Sequence, residues 1–316
     1  MAPILVKCMQ QTENTRLQFE ASWALSNIAS GSKENTMYVL QTNAVPVWVS
    51  HFSSQDPDVV EQAAWAVGNI AGEGFKCRDY CLECGALPPL LNVIMGPIAD
   101  QKLAVMQNSV WALSNLCRFK PCPRLDLVAS AIPVVLQLTT SSVPEIVFDA
   151  LWTLSYISDG PDRVDSIMEA GAVPIVIEMM GAQQTRCHMP SLRTIGNVIA
   201  GSDRQTQVAL NAGALHKLRD LLDPRCARGL RKEAMWAVSN VAAGPPAQID
   251  LLVNAQLFPI IIQTMGAREP EVMKEAVWTA ANIATNGSPQ QIHFMVESGL
   301  LEKLSSTLGE LTMSTL

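Results

Sequence analysis

The sequence predicts an all-α protein that is organised as a stack of short helical repeats. Of its 316 residues 48% are hydrophobic but only 5% are aromatic, and runs of β-branched residues are few, which favours helices over sheets. An eleven-residue pattern also recurs about every 42 residues along the chain. Within each copy the apolar residues follow the spacing of one helix face.

The recurring pattern is centred on a tryptophan. The seven copies are ASWALSNIASG from Ala21, AAWAVGNIAGE from Ala63, SVWALSNLCRF from Ser109, ALWTLSYISDG from Ala150, SLRTIGNVIAG from Ser191, AMWAVSNVAAG from Ala234 and AVWTAANIATN from Ala276. Six of the seven tryptophans of the chain occupy the third place of a copy, and Arg193 takes that place in the fifth copy. Successive third places differ by 42, 46, 41, 41, 43 and 42 residues, which chance does not explain.

A proline keeps the same period and divides each repeat into elements. It stands at equivalent places as Pro46, Pro88, Pro133, Pro174 and Pro259, while His216 and Glu302 take this place in the other two repeats. Proline is tolerated in the first turn of a helix. We therefore expect a short first helix, a second apolar helix that opens near the proline, and a longer third helix that carries the tryptophan. Asp56-Pro57 and Ser142-Val143-Pro144 are typical starts of such third helices.

A helical period of this length is that of armadillo or HEAT arrays, in which stacking supplies the core that no single unit can form. We predict a single armadillo array over residues 1–316, a right-handed superhelical solenoid with a long concave groove. Its approximate repeats are 1–30 (partial), 31–72, 73–118, 119–159, 160–200, 201–243, 244–285 and 286–316 (partial). Residues 1–30 lack a first helix and residues 286–316 end before a third, so we expect the chain to be a fragment or a trimmed form.

Helical phase places the tryptophan away from the buried seam of the third helix. In the helix that starts near Pro57, Val60, Ala64 and Val67 lie on the seam, and Trp65 lies roughly 130° away from it. Asparagine follows the tryptophan by four residues in five repeats and shares its stripe. Packing between neighbouring third helices is the alternative role for the tryptophan. A repeated Trp–Asn stripe instead favours a ligand: the amides can hold an extended peptide backbone, and slots between indoles suit long cationic side chains.

Acidic residues on the same stripe indicate the charge of that ligand. The residue three places before each tryptophan position is Glu20, Gln62, Asn108, Asp149, Pro190, Glu233 and Glu275 in order. Four of these seven are carboxylates, which pair with Lys or Arg. Tyr156 replaces the asparagine in the fourth repeat, and Arg193 should repel a basic ligand. The stripe is thus expected to form two pockets, for a ligand with two basic clusters.

These motifs resemble the importin α (karyopherin α) family. The matching segments are WALSNIASG, WAVGNIAGEG, WALSNLCR, SYISDGP, RTIGNVIAGSDRQTQ and KEAMWAVSN, and the interruption by Tyr156 and Arg193 matches as well. The resemblance implies an adaptor of nuclear import that shuttles between cytoplasm and nucleus and binds mono- and bipartite basic nuclear localisation signals. It further implies an importin β contact through an Arg/Lys-rich N-terminal segment, to which nothing here is similar, and an export receptor as a second partner.

The resemblance also implies the site residues. The major signal-binding site would use Trp23, Asn27, Ser30, Gly31, Thr36, Gln62, Trp65, Asn69, Glu73, Trp111, Asn115 and Asp149. The minor site would use Arg193, Asn197, Thr206, Glu233, Trp236, Asn240, Glu275, Trp278 and Asn282. Glu73 stands where the family typically has Asp, and the extra methylene is expected to shift or weaken the salt bridge to the most selective lysine.

Other functions fit the sequence less well. A net charge of −7 argues against direct binding of nucleic acid, and no apolar run of about 18 residues suggests a membrane span. Cys77, Cys81 and Cys84 have the spacing of an iron–sulfur motif but share one face of a first helix, as buried cysteines do. We therefore predict no cofactor, no metal and no catalytic activity. A scaffold similar to β-catenin remains the alternative, although its Lys/Arg-lined groove takes acidic partners.

Overall fold

The computed structural model describes residues 1–11 and 13–314, and of Pro161 and residues 308–314 it describes the backbone alone. Contacts divide the chain into two compact units, Met1–Asp159 and Gly160–Leu316. Both units consist of helices and connecting turns, and no strand occurs in the described residues. The predicted all-α solenoid is confirmed.

In the first unit the helices follow the predicted order within each repeat. Their bounds are α1 Ala2–Met9, α2 Thr15–Ala29, α3 Lys33–Leu40, α4 Ala44–His51, α5 Pro57–Gly72, α6 Phe75–Glu83, α7 Leu87–Met95, α8 Pro97–Gln101, α9 Leu103–Cys117, α10 Leu125–Val128, α11 Ala131–Leu138 and α12 Pro144–Ile157. The third helices of successive repeats are α2, α5, α9 and α12, and each packs against the next.

The second unit repeats this arrangement. Its helices are α13 Pro161–Glu169, α14 Ala172–Met179, α15 His188–Ile199, α16 Asp203–Asn211, α17 Ala214–Leu221, α18 Arg228–Ala242, α19 Pro246–Asn254, α20 Leu257–Thr264, α21 Pro270–Asn286, α22 Pro289–Glu297 and α23 Leu300–Ser314. A 3₁₀ turn, Thr185–Cys187, precedes α15. The third helices α15, α18 and α21 again pack side by side.

An inserted helix accounts for the one irregular spacing of the tryptophans. Trp65 and Trp111 are 46 residues apart, whereas the other intervals are 41 to 43. The extra residues form α8, a five-residue helix that begins at Pro97 and packs against α5, α7 and α9. Because the insertion lies between a second and a third helix, the third helices keep their side-by-side packing.

Side chains at the starts of helices fix the turns between repeats. The hydroxyls of Ser32, Ser202 and Ser288 accept hydrogen bonds from backbone N–H groups in the first turns of α3, α16 and α22. At α16 and α22 a glutamine side chain returns the bond, which completes a capping box. Pro57 opens α5 behind an Asp56 cap, as the sequence predicts.

The core of each unit is the apolar seam where these helices meet. Alanine, valine, leucine and isoleucine supply most of the fully buried side chains, in the close packing typical of protein interiors. In α5 the seam residues Val60, Ala64 and Val67 are completely buried. None of the described helices is both long enough and apolar enough to cross a membrane.

A buried arginine ties one repeat to the turn that follows it. Arg78, on α6, is fully buried and donates hydrogen bonds to the carbonyl oxygens of Arg118, Phe119 and Pro121 at 2.6 to 2.8 Å. Its guanidinium also donates to the half-exposed carboxylate of Asp79 at 2.7 and 2.9 Å. A buried charge is tolerated here because nearly all of its donors are satisfied.

Replacing Arg78 with methionine should lower the free energy of unfolding by about 3 kcal/mol, since three backbone carbonyls would lose their buried, charged donor. Urea unfolding followed by far-ultraviolet circular dichroism measures this. Asp79→Asn is the matched control and should cost less than about 1 kcal/mol, because that carboxylate is half-exposed. Equal stability of Arg78→Met and the parent would contradict the structural role of the arginine.

Candidate functional site

The six tryptophans of the recurring pattern lie at the surface or at its edge. Trp23, Trp65 and Trp278 are 52%, 42% and 56% exposed, and Trp111, Trp152 and Trp236 are half-buried. Trp48, the seventh, lies outside the pattern; it is completely buried and its indole N–H donates to the Ser22 hydroxyl at 2.6 Å. The pattern therefore separates surface indoles from a core indole, as helical phase predicts for Trp65.

Two neighbouring indoles of the first unit are stacked on each other. The ring centroids of Trp65 and Trp111 are 5.2 Å apart and their planes differ by 26°. A side-chain stem between two rings needs about 3.5–4.0 Å on each side, so the slot that the sequence analysis expects between these indoles is closed. The two rings instead present one continuous aromatic surface.

Two glycines on third helices make room for the indole of the next repeat. A Cβ added to Gly68, on α5, would collide with the six-membered ring of Trp111, and one added to Gly196, on α15, would collide with that of Trp236. Both glycines stand directly before the asparagine of the stripe, where four of the other five repeats have Ser and the last has Ala281. Sequence reasoning missed them, although the restriction of this place to small residues was a readable signal.

The asparagines of the stripe are oriented by the neighbouring third helix. The Asn115 amide donates to the Gly68 carbonyl at 3.2 Å, and the Asn282 amide donates to the Ser239 carbonyl at 2.9 Å. Each accepting carbonyl stands one residue before the asparagine of the preceding repeat. The amide nitrogen is thereby engaged, and the carbonyl oxygen of the side chain is left as an acceptor.

The exposure of the asparagines is not uniform. Asn27 is exposed, Asn115 is 4% exposed, and the others on the stripe are half-buried. The side-chain nitrogens of Asn69 and Asn240 are buried and have no hydrogen-bond partner in the described part of the chain. Buried donors without an acceptor are rare in folded proteins, so these two amides stand out on the stripe.

The carboxylates before the tryptophans differ in how far they are already paired. Glu20 is paired with Arg16 at 2.5 Å. Glu233 is 8% exposed and accepts Arg193 at 3.2 Å. Glu275 is half-buried, and no ion pair to it occurs among the described residues. Arg193 was expected to repel a basic ligand, but in the structure it neutralises the acidic residue of the next repeat.

Several other predicted site residues brace the ends of third helices. The hydroxyls of Thr36 and Thr206 are buried and donate to the carbonyls of Ala29 and Ile199 at 2.7 and 2.8 Å. Ser30 donates to the Ser26 carbonyl at 2.9 Å. Gly31 and Glu73 are exposed, and Asp149 and Asn197 are half-buried. The hydroxyls of Thr36, Thr206 and Ser30 thus hold backbone in place near the stripe, whereas Glu73 keeps an exposed carboxylate beside it.

Gln62 is buried beneath the stripe instead of lying on it. Its amide donates to the Ser26 hydroxyl on the neighbouring third helix at 3.0 Å, and only 7% of the residue is exposed. In the fourth repeat, Tyr156 stacks on Trp152 with ring centroids 5.4 Å apart. An aromatic cluster thus replaces the amide at this position.

A small cleft of about 130 Å³ lies beside the stripe of the second unit. Thr206 and Asn240 line it, together with Asp203, Gly244 and Gln248, which sequence reasoning missed. The side-chain oxygen of Gln248 is buried without a donor among the described residues. An acceptor-lined cleft of this size suits a single ammonium group.

The cysteines with the iron–sulfur spacing lie on α6 or at its end. Cys77 and Cys81 are buried on α6, and burial raises the pKa of both thiols. No group of three His, Cys, Asp or Glu side chains in the described chain is arranged to hold a metal ion. The spacing of these cysteines is accounted for by the packing of α6.

Comparison with known proteins places this arrangement in a family. A model of the armadillo/β-catenin-like repeat matches residues 2–30, 32–72, 75–118 and 123–159. The chain is 44% identical over 237 residues to importin subunit alpha-3 of Arabidopsis thaliana, an alignment that covers 75% of this chain and 44% of that protein. These matches support an armadillo-repeat domain of the importin α type. It is also 42% identical over 240 residues to importin subunit alpha-1a of Oryza sativa subsp. japonica, covering 76% of this chain and 45% of the relative.

The chain thus spans a little less than half the length of these importin α relatives. Among solved structures, an engineered protein superposes with a TM-score of 0.87 at 26% identity, over 96% of this chain and 72% of the other. A designed armadillo repeat protein superposes with a TM-score of 0.70 at 24% identity, over 76% of this chain and 99% of the other. The latter likeness concerns the fold alone.

Adding a methyl group at Gly68 should separate the two stacked indoles. Gly68→Ala gains about 1 kcal/mol of helix propensity but forces overpacking against Trp111, which costs about 1–3 kcal/mol. We expect a lower melting temperature and loss of the Trp–Trp exciton signal in circular dichroism. Gly229→Ala is the control: that position on α18 has only the Met189 methyl at 3.4 Å, so the variant should be as stable as the parent or more so. An intact exciton signal in Gly68→Ala would contradict the packing described.

Proposed function

We propose that this chain is the cargo-binding part of a nuclear import adaptor, and that it binds Lys/Arg-rich localisation signals as extended peptides along its third helices. The observation that carries the proposal is the set of surface indoles in register with asparagines whose side-chain carbonyls remain available. Likeness to importin α proteins supports the adaptor role. Movement between cytoplasm and nucleus, and contacts with importin β and an export receptor, are proposed for the whole protein on the same ground.

The backbone of the signal peptide is the part that the asparagines recognise. An extended peptide offers one N–H and one C=O per residue, and Asn69, Asn115, Asn240 and Asn282 can accept from it through their side-chain oxygens. Two of these side-chain amides, those of Asn115 and Asn282, are held in place because they donate hydrogen bonds to backbone carbonyls of the neighbouring third helix. A fixed amide loses little side-chain entropy on binding, which favours affinity without regard to the peptide sequence.

The side chains of the signal are selected by aromatic faces and carboxylates. Lysine and arginine stems can lie on the faces of Trp23, Trp65 and Trp111 in the first unit, and of Trp236 and Trp278 in the second. Glu20, Glu73 and Asp149 supply negative charge beside the first set. Since the slot between Trp65 and Trp111 is closed, a stem that enters it must displace the 42% exposed Trp65, while Gly68 keeps Trp111 in its position.

The second unit is proposed to hold a separate basic cluster of the same signal. The cleft beside Thr206 and Asn240 is suited to one lysine ammonium, with the Asp203 carboxyl and the Gln248 carbonyl oxygen as acceptors. Glu275 offers an unpaired carboxylate, whereas Arg193 occupies that of Glu233 at 3.2 Å. This difference favours the first unit for a single basic cluster and both units for a bipartite signal.

A labelled lysine-rich peptide tests the proposal. We expect a micromolar Kd or tighter by fluorescence anisotropy, weaker at higher salt because the contacts are ionic. Binding should also reduce the Trp–Trp exciton signal as Trp65 leaves the stack. Equal binding of a peptide in which alanine replaces every lysine would overturn the proposal, and so would preferential capture of acidic peptides, which would favour a scaffold function instead.

Removing the exposed indole of Trp65 should weaken binding of a single-cluster peptide about 5- to 150-fold, the range for a stacking contact of about 1–3 kcal/mol. Anisotropy titration of Trp65→Ala measures the change. Met95→Ala serves as control, because it removes an exposed apolar side chain, 54% accessible, from a second helix. The assignment of the site fails if both variants bind like the parent.

Freeing the Glu233 carboxylate should strengthen the second site. In a Trp65→Ala background, Arg193→Gln should tighten peptide binding up to about fivefold, because an ion pair with an exposed arginine contributes about 1 kcal/mol or less and Lys232 still lies 3.5 Å from the Glu233 carboxylate. The double variant Arg193→Gln/Glu233→Gln should lose this gain. Weaker binding of Arg193→Gln would instead mean that Arg193 itself contacts the peptide.

A further inference from the structure

A second cleft of the second unit lies away from the Trp–Asn stripe, where the second helices end and the third helices begin. It has a volume of about 1040 Å³ and is lined by the end of α17, the turn that follows it, the start of α18 and the end of α20. Its charged side chains include Arg219, Arg225, Arg231 and Lys303, together with Asp220 and Asp223. A cationic cleft is unexpected in a chain with a net charge of −7.

The first unit contains the same cleft without these cations. Its cleft of about 1160 Å³ lies between α1, α2 and α4, 213 residues earlier, the offset that also relates Trp23 to Trp236. Gln18 stands where the second cleft has Arg231, and buried His51 where it has Thr264. Burial lowers the pKa of His51, which favours its neutral form. The shape of the cleft therefore recurs with the repeat, whereas its cationic lining occurs in the second unit.

Two of the four cations have no carboxylate partner. Arg225 donates to Asp223 at 2.7 and 2.9 Å, and Arg231 donates to Glu269 at 2.8 Å. Arg219 has one long contact, to the Ala255 carbonyl at 3.5 Å. Neither Arg219 nor Lys303 has an ion pair among the described residues. The Lys303 ammonium lies over Gly266, where a Cβ would collide with it.

Arg231 supplies an independent indication of a missing acceptor. It is 9% exposed and lines the cleft, yet its Nε–H is buried without a hydrogen-bond partner in the described chain. Glu269 engages only one of the guanidinium nitrogens. A buried donor of a charged group is costly to leave unpaired, so an acceptor that arrives with a ligand would complete the site.

We propose that this cleft binds a phosphorylated serine or threonine within a segment of a partner protein. A phosphomonoester carries about −1.5 to −2 charges at neutral pH. Arg219 and Lys303 can pair with it, although the Asp220 carboxylate also lines the cleft, and the phosphate oxygens suit the fork of a guanidinium. The cleft is larger than a phosphate group and also has the apolar side chains of Leu222 and Ile260 in its lining. These favour a peptide that carries the phosphate over a free phosphorylated metabolite.

A fluorescent phosphoserine peptide with uncharged flanking residues, and its unphosphorylated form, test the proposal by anisotropy with the full chain. Phosphorylation should tighten binding at least tenfold. Arg219→Gln/Lys303→Gln should abolish the difference, because both side chains lie at the cleft without an ion pair to any described residue. Arg231→Lys, which keeps the charge but loses the fork, should reduce it several-fold. The control Lys7→Gln/Lys76→Gln removes two exposed lysines of the first unit and should leave it intact.

Several outcomes would overturn the proposal. These are equal binding of the two peptides, an undiminished preference in Arg219→Gln/Lys303→Gln, and saturable binding of inositol hexakisphosphate or inorganic phosphate without binding of the phosphopeptide. The lysine-rich signal peptide is titrated against the same variants. Its unchanged affinity in Arg219→Gln/Lys303→Gln keeps this site separate from the proposed import function, so the failure of either proposal is recognised on its own.

Discussion

The packing of each third helix against the next is the constraint on which the rest of each unit depends. One face of the helix must carry small and aliphatic side chains to form the buried seam, as Val60, Ala64 and Val67 do in α5. The remaining face is left to solvent at a fixed interval along the stack. Indoles and amides placed on that face therefore recur at regular spacing without any further device. The proposed recognition surface thus follows from the way the core is built.

Much of this arrangement could be predicted from the sequence. The period of the tryptophans and prolines gives the repeat and its three helices, and helical phase separates surface Trp65 from the seam. The irregular interval of 46 residues also has a local cause, the short helix α8. Helical phase does not predict which side chains of neighbouring repeats contact each other. The stacking of Trp65 on Trp111, the pairing of Arg193 with Glu233 and the burial of Gln62 against Ser26 depend on side chains about 40 residues apart in the chain.

The repeat also lets one cleft exist in two chemical versions. Residues 213 apart line clefts of similar size in the two units, yet Gln18 in the first cleft corresponds to Arg231 in the second. The helices that form the cleft are fixed by the seam, whereas its lining is free to change because it lies at the ends of the helices. Stability and recognition can thus vary independently in such a chain.

The closed indole pair has a consequence for selectivity. An aromatic pair contributes about 0.5–1.5 kcal/mol beyond the area it buries, and an incoming side chain must compensate for this before it gains anything. The stacking of Trp65 on Trp111 thus competes with the incoming side chain for the same aromatic faces. Under the proposed function, segments with a single weakly placed lysine would fail to displace it and densely basic segments would succeed, so the pair would set a threshold against marginally basic sequences.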